Sequence, residues 1–114
     1  MFVTNSKRLT LAGARKMMDT ATAGAEKAGH AIAVAIVDAG GHPLLIQRMD
    51  GGRLHTVHSS TTKAVCAASN KRPTTMKGAA GQALDTMHAL GLALAAGAER
   101  WTAMEGGYPI IFEG

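Results

Sequence analysis

The stretch from Ala31 to Gly51, AIAVAIVDAGGHPLLIQRMDG, sets two apolar runs of strand length on either side of Gly40-Gly41. A Gly-Gly centre supplies the positive φ values that tight hairpin turns need, so the stretch predicts an antiparallel ribbon. With the turn centred there, Val37 faces Leu44, Ala35 faces Ile46 and Ala33 faces Arg48. Ile32, Val34, Ile36 and Leu45 then point to one side, and Val37, Leu44 and Ile46 to the other. A ribbon apolar on both faces must be covered on both, which predicts an α/β (α+β) protein with helices above and below an antiparallel sheet.

The flanking sequence supplies such helices. Thr10 can cap a helix running to Ala28, in which Leu11, Ala14, Met17, Met18, Ala21 and Ala25 keep helical spacing and Gly29 ends it. From Leu54 to Asn70 the helical period returns, with Leu54, Val57, Thr61, Ala64, Val65 and Ala68 on one stripe. Arg72-Pro73-Thr74 ends that element, because the residue before a proline disfavours helix. Residues 75–81 predict a loop and Gln82 to Ala96 a short helix. Trp101 to Met104 and Tyr108 to Phe112 predict a second hairpin around Gly106-Gly107. Ile110 to Gly114 reads as a strand running into a turn, an apolar edge that something must cover.

The 114 residues suffice for one domain, 1–114, with a modest core. The formal net charge is +4, but Lys7, Arg8, Arg15, Lys16, Lys71, Arg72 and Lys77 are scattered. Aromatics do not interleave with them as a nucleic-acid stacking platform requires. An anionic small molecule is the better use for that charge. The single cysteine, Cys66, forms no internal disulfide and suits a small core position. The N-terminus has no apolar signal core and no run reaches a membrane span, which makes the cytoplasm the expected compartment.

Several side chains could carry chemistry. His55 and His58 lie three apart on the second helix, with Thr62 four further on, and so share a face. They can be iron or metal ligands, or two solvated helix histidines; no third ligand stands at motif spacing. Asp38 and Asp50 each precede turn residues and are read first as organisers of those turns through backbone N–H groups. Asp50 could instead cap the second helix, and Arg48 could hold an anionic group. Lys63 lies mid-helix beside the stripe, and Arg72 and Thr74 follow the helix end, offering an ammonium, a guanidinium fork and a hydroxyl. His30, His42 and His88 read as turn or surface residues.

The run AVAIVDAGGHPLLIQRMDG, then Thr62-Lys63-Ala64, Arg72-Pro73-Thr74 and Gly106-Gly107-Tyr108-Pro109, resembles the GlcG/HbpS family, which includes the C-terminal domains of PduO-type proteins. The resemblance spans nearly the whole chain. It implies a profilin-like, three-layer α-β-α fold around an antiparallel five-stranded sheet of order 2-1-5-4-3, and assembly into homo-oligomers. It also implies haem or a related tetrapyrrole as a ligand class, since some members bind such molecules and some are described as haem-degrading. The family continues past the Gly-Gly-x-Pro strand with a central strand and a closing helix. This chain lacks both, so the domain is expected to be incomplete at its C-terminus and completed by another chain or by a further stretch of polypeptide; strand exchange within an oligomer and a rearranged sheet stay open.

Among the matching positions, Arg48, Lys63, Arg72 and Thr74 become the pocket candidates, with His55 and His58 added on chemistry alone as ligands for haem iron. The first expectation is a small-ligand binding protein whose basic pocket lies at an oligomer interface. Two others stay open: an enzyme acting on a small carboxylate or oxo-acid, with Lys63, His55 or His58 as general base, and an accessory subunit without its own ligand.

Overall fold

A computed structural model describes residues 2–112. Its elements are α1 (Leu11–Ala28), β1 (Ala33–Val37), β2 (Pro43–Arg48), α2 (Thr56–Asn70) and α3 (Thr86–Ala96). The class is as expected: a mixed α/β fold whose antiparallel β1–β2 ribbon is flanked by helices. Thr10 caps α1 by accepting the Gly13 N–H at 3.1 Å, and Gly29 ends the helix in the left-handed conformation.

Ala14 and Met18 of α1 bury against Ile36, with Leu9, Val34, Leu44 and Leu45 around them. Strand alternation sends Ala33, Ala35 and Val37 to the opposite face. There α2 contacts both strands, with its own buried residues Thr62, Cys66 and Ala67 outside the α1 cluster. The small side chains on both sides let α2 approach closely, and Val65 lies against Gly41.

The hairpin differs from its expected form. Ala33↔Arg48 and Ala35↔Ile46 pair as predicted, but the register shifts between Ile36 and Val37, and Val37 pairs with Pro43 rather than Leu44. The connection is therefore longer than a two-residue turn. Asp38 N–H donates to the His42 carbonyl at 2.9 Å and Gly41 N–H to the Asp38 carbonyl at 3.0 Å. Of the two glycines, only Gly41 takes a positive φ, +84°. The shift also rotates Leu44, placed on the α2 side by simple alternation, into the α1 cluster.

Asp38 organises this turn as expected. Its Oδ1 accepts the N–H groups of Gly40 at 2.9 Å and His42 at 3.0 Å. Those bonds, the His42 one foremost, hold the Asp38 carboxyl below the usual aspartate value of 3.8.

Three further expectations change. α2 begins at Thr56, and Leu54 is exposed rather than part of the apolar stripe. Asp50 does not cap α2: the cap residue is His55, with no side-chain cap bond. The second hairpin is absent among the described residues, since Trp101–Met104 and Tyr108–Phe112 form no strand and pair with none. The physical reason is that Gly107 bonds to Thr74 and so does not close a hairpin. The predicted end strand runs on to Glu113 and Gly114, which lie outside the described residues.

Residues 75–81 form a loop, closed by a bridge between Lys77 and Ala83. The helix expected from Gln82 starts at Thr86, where Asp85 caps it by accepting the His88 N–H at 2.8 Å. This α3 packs against no other element among the described residues, leaving Met87, Leu90 and Leu94 exposed. The radius of gyration, 15.1 Å, exceeds the value of about 13 Å for a compact domain of this length. No described helix is long and apolar enough to cross a membrane.

Two measurements test this account. Met18 is 1% exposed, so Met18→Ala should cost about 2–5 kcal/mol in urea unfolding through lost burial and a residual cavity. Because Asp38 titrates lower when folded, it stabilises the fold above its unfolded value, and that contribution is lost as pH falls through the folded one. Asp38→Asn, which cannot ionise, should lower Tm slightly at neutral pH and flatten its fall below the ordinary aspartate range, the two curves converging in acid; parallel Tm–pH curves for both proteins would refute this.

Candidate functional site

The last turn of α2 leads through Lys71, in the left-handed conformation, into Arg72-Pro73-Thr74. This reversal folds Thr74 back along α2, where it is buried. Thr74 and Gly107 then bond reciprocally: Thr74 N–H donates to the Gly107 carbonyl at 2.9 Å, and Gly107 N–H donates to Thr74 Oγ1 at 2.9 Å. The clamp presses Gly107 onto the helix. A Cβ there would overlap the Lys63 carbonyl oxygen and stand 2.8 Å from its carbon, with Thr74 Cγ2 at 2.9 Å. Gly106, at φ +122°, lies under the Lys63 side chain, where a Cβ would be 3.4 Å from both Cδ and Nζ.

Three stretches far apart in sequence therefore meet at one place. Lys63 supplies an ammonium, Thr74 a hydroxyl held by the clamp, and Gly106-Gly107 a backbone stripped of side chains. An anionic group can be received at the ammonium and the exposed backbone of Gly106, while the space beside Gly107 is filled by the Lys63 carbonyl and Thr74.

The other expected site residues lie elsewhere. Arg72 follows the same reversal but donates from Nη1 to the Gly78 carbonyl at 3.3 Å, tying the 75–81 loop to the helix end. Arg48 lines an open hollow of about 540 Å³ at the C-terminal end of α1, with His30, Glu26 and Asp50. Asp50 makes no side-chain hydrogen bond among the described residues, so its expected turn-organising role is not what the structure shows. His55 and His58 are exposed at the start of α2, and neither imidazole has a hydrogen-bond partner among the described residues. The Arg48 stem lies against Gly52, three residues before His55, so β2 delivers Arg48 to the same end of the molecule as the start of α2. Thr62, expected beside the histidines, is instead buried, with its hydroxyl donating to the His58 carbonyl at 3.1 Å. No group of three or more His, Cys, Asp or Glu among the described residues could hold a metal ion.

Some participants escaped the sequence reading. His30 is exposed just after the α1 cap, as a turn or surface residue should be, and it also shares the hollow with Arg48. The clamping role of Gly107 had a signal in the Gly-Gly pair, but nothing local said that its partner would be Thr74.

A family model described as "Haem degrading protein HbpS-like" matches residues 9–114. The chain belongs to the HbpS-like family. A solved structure, the Klebsiella pneumoniae protein ORFY, a DUF336 protein, is similar at 33% identity with a TM-score of 0.84. The similarity covers 99% of this chain and 76% of that one. A search of curated proteins finds no match. Membership of this HbpS-like family bears out the resemblance, and the three meeting segments are three of the four motifs that carried it.

Adding a side chain at Gly107 should break the clamp. Gly107→Ala is expected to lower Tm and open the 101–112 segment to limited proteolysis, because the neighbour in the way is backbone. Lys63→Ala should leave both nearly unchanged, since it removes a half-exposed side chain.

Proposed function

We propose that this HbpS-like chain binds a small anionic ligand, with haem as the leading candidate, and that the binding surface is completed by a second copy of the chain. The observation that supports this reading best is the convergence of Lys63, Thr74 and Gly106-Gly107, which sets an ammonium beside side-chain-free backbone. The family description names haem as the molecule its members degrade.

The donor chemistry suits haem, and the enclosure of one chain does not. His55 and His58 are unengaged imidazoles able to ligate iron, and Arg48, Lys63 and Arg72 are cations able to hold propionates. Thr74 serves by fixing the Gly106-Gly107 cradle. Yet both histidines are exposed, and neither lines the hollow at Arg48. A flat macrocycle against α2 would keep one face in water unless another surface covered it, which is the role given to the second copy. The bound group would supply the iron chemistry; this chain's part is to ligate, neutralise and exclude water.

Haem titration followed at the Soret band tests the proposal. The wild-type chain should give a saturable shift, His55→Ala or His58→Ala should change the band position, and Lys63→Ala should weaken binding about tenfold as a charge-assisted contact is lost. Sedimentation of the loaded protein should show an oligomer. An unshifted band at micromolar protein would dismiss haem, and a shift unaffected by all three substitutions would dismiss these residues.

A further inference from the structure

A second cavity lies by the last turn of α2, and none of the residues assigned to the ligand site lines it. It measures about 400 Å³ and is bounded by the hairpin turn at Gly40-Gly41, the last turn of α2, and the Ala96–Trp101 segment. That volume falls within the range of small-molecule sites. Trp101, the only tryptophan in the chain, is half-buried in its wall and offers a flat apolar surface. Ser69, Asn70 and Arg100 supply the polar lining.

Charge decides what class of molecule fits. The Arg100 guanidinium points first to an anion, but it is exposed and the neighbouring Glu99, whose Oε1 stands 3.9 Å from Nε, offsets its charge, while Nη1 donates to the Ala96 carbonyl at 3.4 Å. Two helix C-termini, those of α2 and α3, border the cavity as well, and each carries partial negative charge. Past Ala67, the α2 carbonyls have no backbone partner among the described residues, so this end of the helix accepts hydrogen bonds. Asn70 both donates and accepts: its Nδ2 reaches Cys66 Sγ at 3.6 Å, which leaves Oδ1 and a second N–H for a ligand. The balance is neutral and rich in paired donors and acceptors, against an aromatic wall.

We propose that this cavity binds a neutral, planar nitrogen heterocycle bearing both hydrogen-bond donors and acceptors, the chemistry of a nucleobase. The ring stacks on Trp101, its donors meet Asn70 Oδ1 and the last-turn carbonyls of α2, and its acceptors meet Asn70 Nδ2 and the Ser69 hydroxyl. This inference does not rest on the haem reading.

Adenine is the probe, titrated against Trp101 fluorescence without haem, with benzoate as an anionic ring of similar width. Saturable quenching by adenine, about tenfold weaker in Asn70→Ala and not relieved by benzoate, is the expected result. Asn70 is exposed and Ser69→Ala provides a second polar deletion, so a folding defect in one variant leaves the other. Ala96→Phe, which fills the cavity, should abolish quenching without altering far-UV circular dichroism. No saturable quenching at millimolar adenine, equal competition by benzoate, or unchanged affinity in Asn70→Ala, Ser69→Ala and Ala96→Phe alike would overturn the proposal.

Discussion

The reciprocal pair of hydrogen bonds between Thr74 and Gly107 is the constraint on which the arrangement of the cradle depends. Each member donates once and accepts once, and both are buried, so losing one partner would strand the other's polar groups away from water. The exchange holds an otherwise irregular segment onto α2 without a sheet. It also explains why residues 101–112 form no hairpin: the backbone groups that would have closed one are committed to Thr74. The local propensity for strand is real, but a strand exists only where another edge accepts it.

Legibility of the fold followed the range of the determining interactions. α1 was readable to its last residue because Thr10 and Gly29 act within a few positions of the chain. Asp38 was readable for the same reason. The β1–β2 register was readable in its middle and failed at Val37, where the five-residue turn adds a residue that the Gly40-Gly41 pair alone does not announce. Leu54 and Thr62 exchanged roles, one exposed and the other buried, because the spacing of apolar residues cannot distinguish a helix start from the approach to it. Thr62 tolerates burial because its hydroxyl returns to its own helix backbone.

The site was legible only in part. Lys63 and Thr74 were singled out from the sequence, and they do meet. What pattern could not supply was the partition of the remaining candidates: Arg72 bonds a neighbouring loop, while Arg48 lines a hollow beside the C-terminal end of α1. Spacing placed His55 and His58 on one helix face, but whether that face is walled depends on packing that no local signal encodes. The positions that carry the resemblance therefore include residues that build the reversal after α2, Arg72 and Thr74 among them, beside side chains such as Lys63 that the reversal does not use.

The helix α3 carries Met87, Leu90 and Leu94 into solvent. Most domains hide such surface until they begin to melt, which is why environment-sensitive dyes serve as indicators of loosened structure. Here the native chain already presents the greasy helix those dyes seek. A bright dye signal from this chain at rest would thus follow from its folded form, and the usual inference from fluorescence to partial unfolding would not carry over to it.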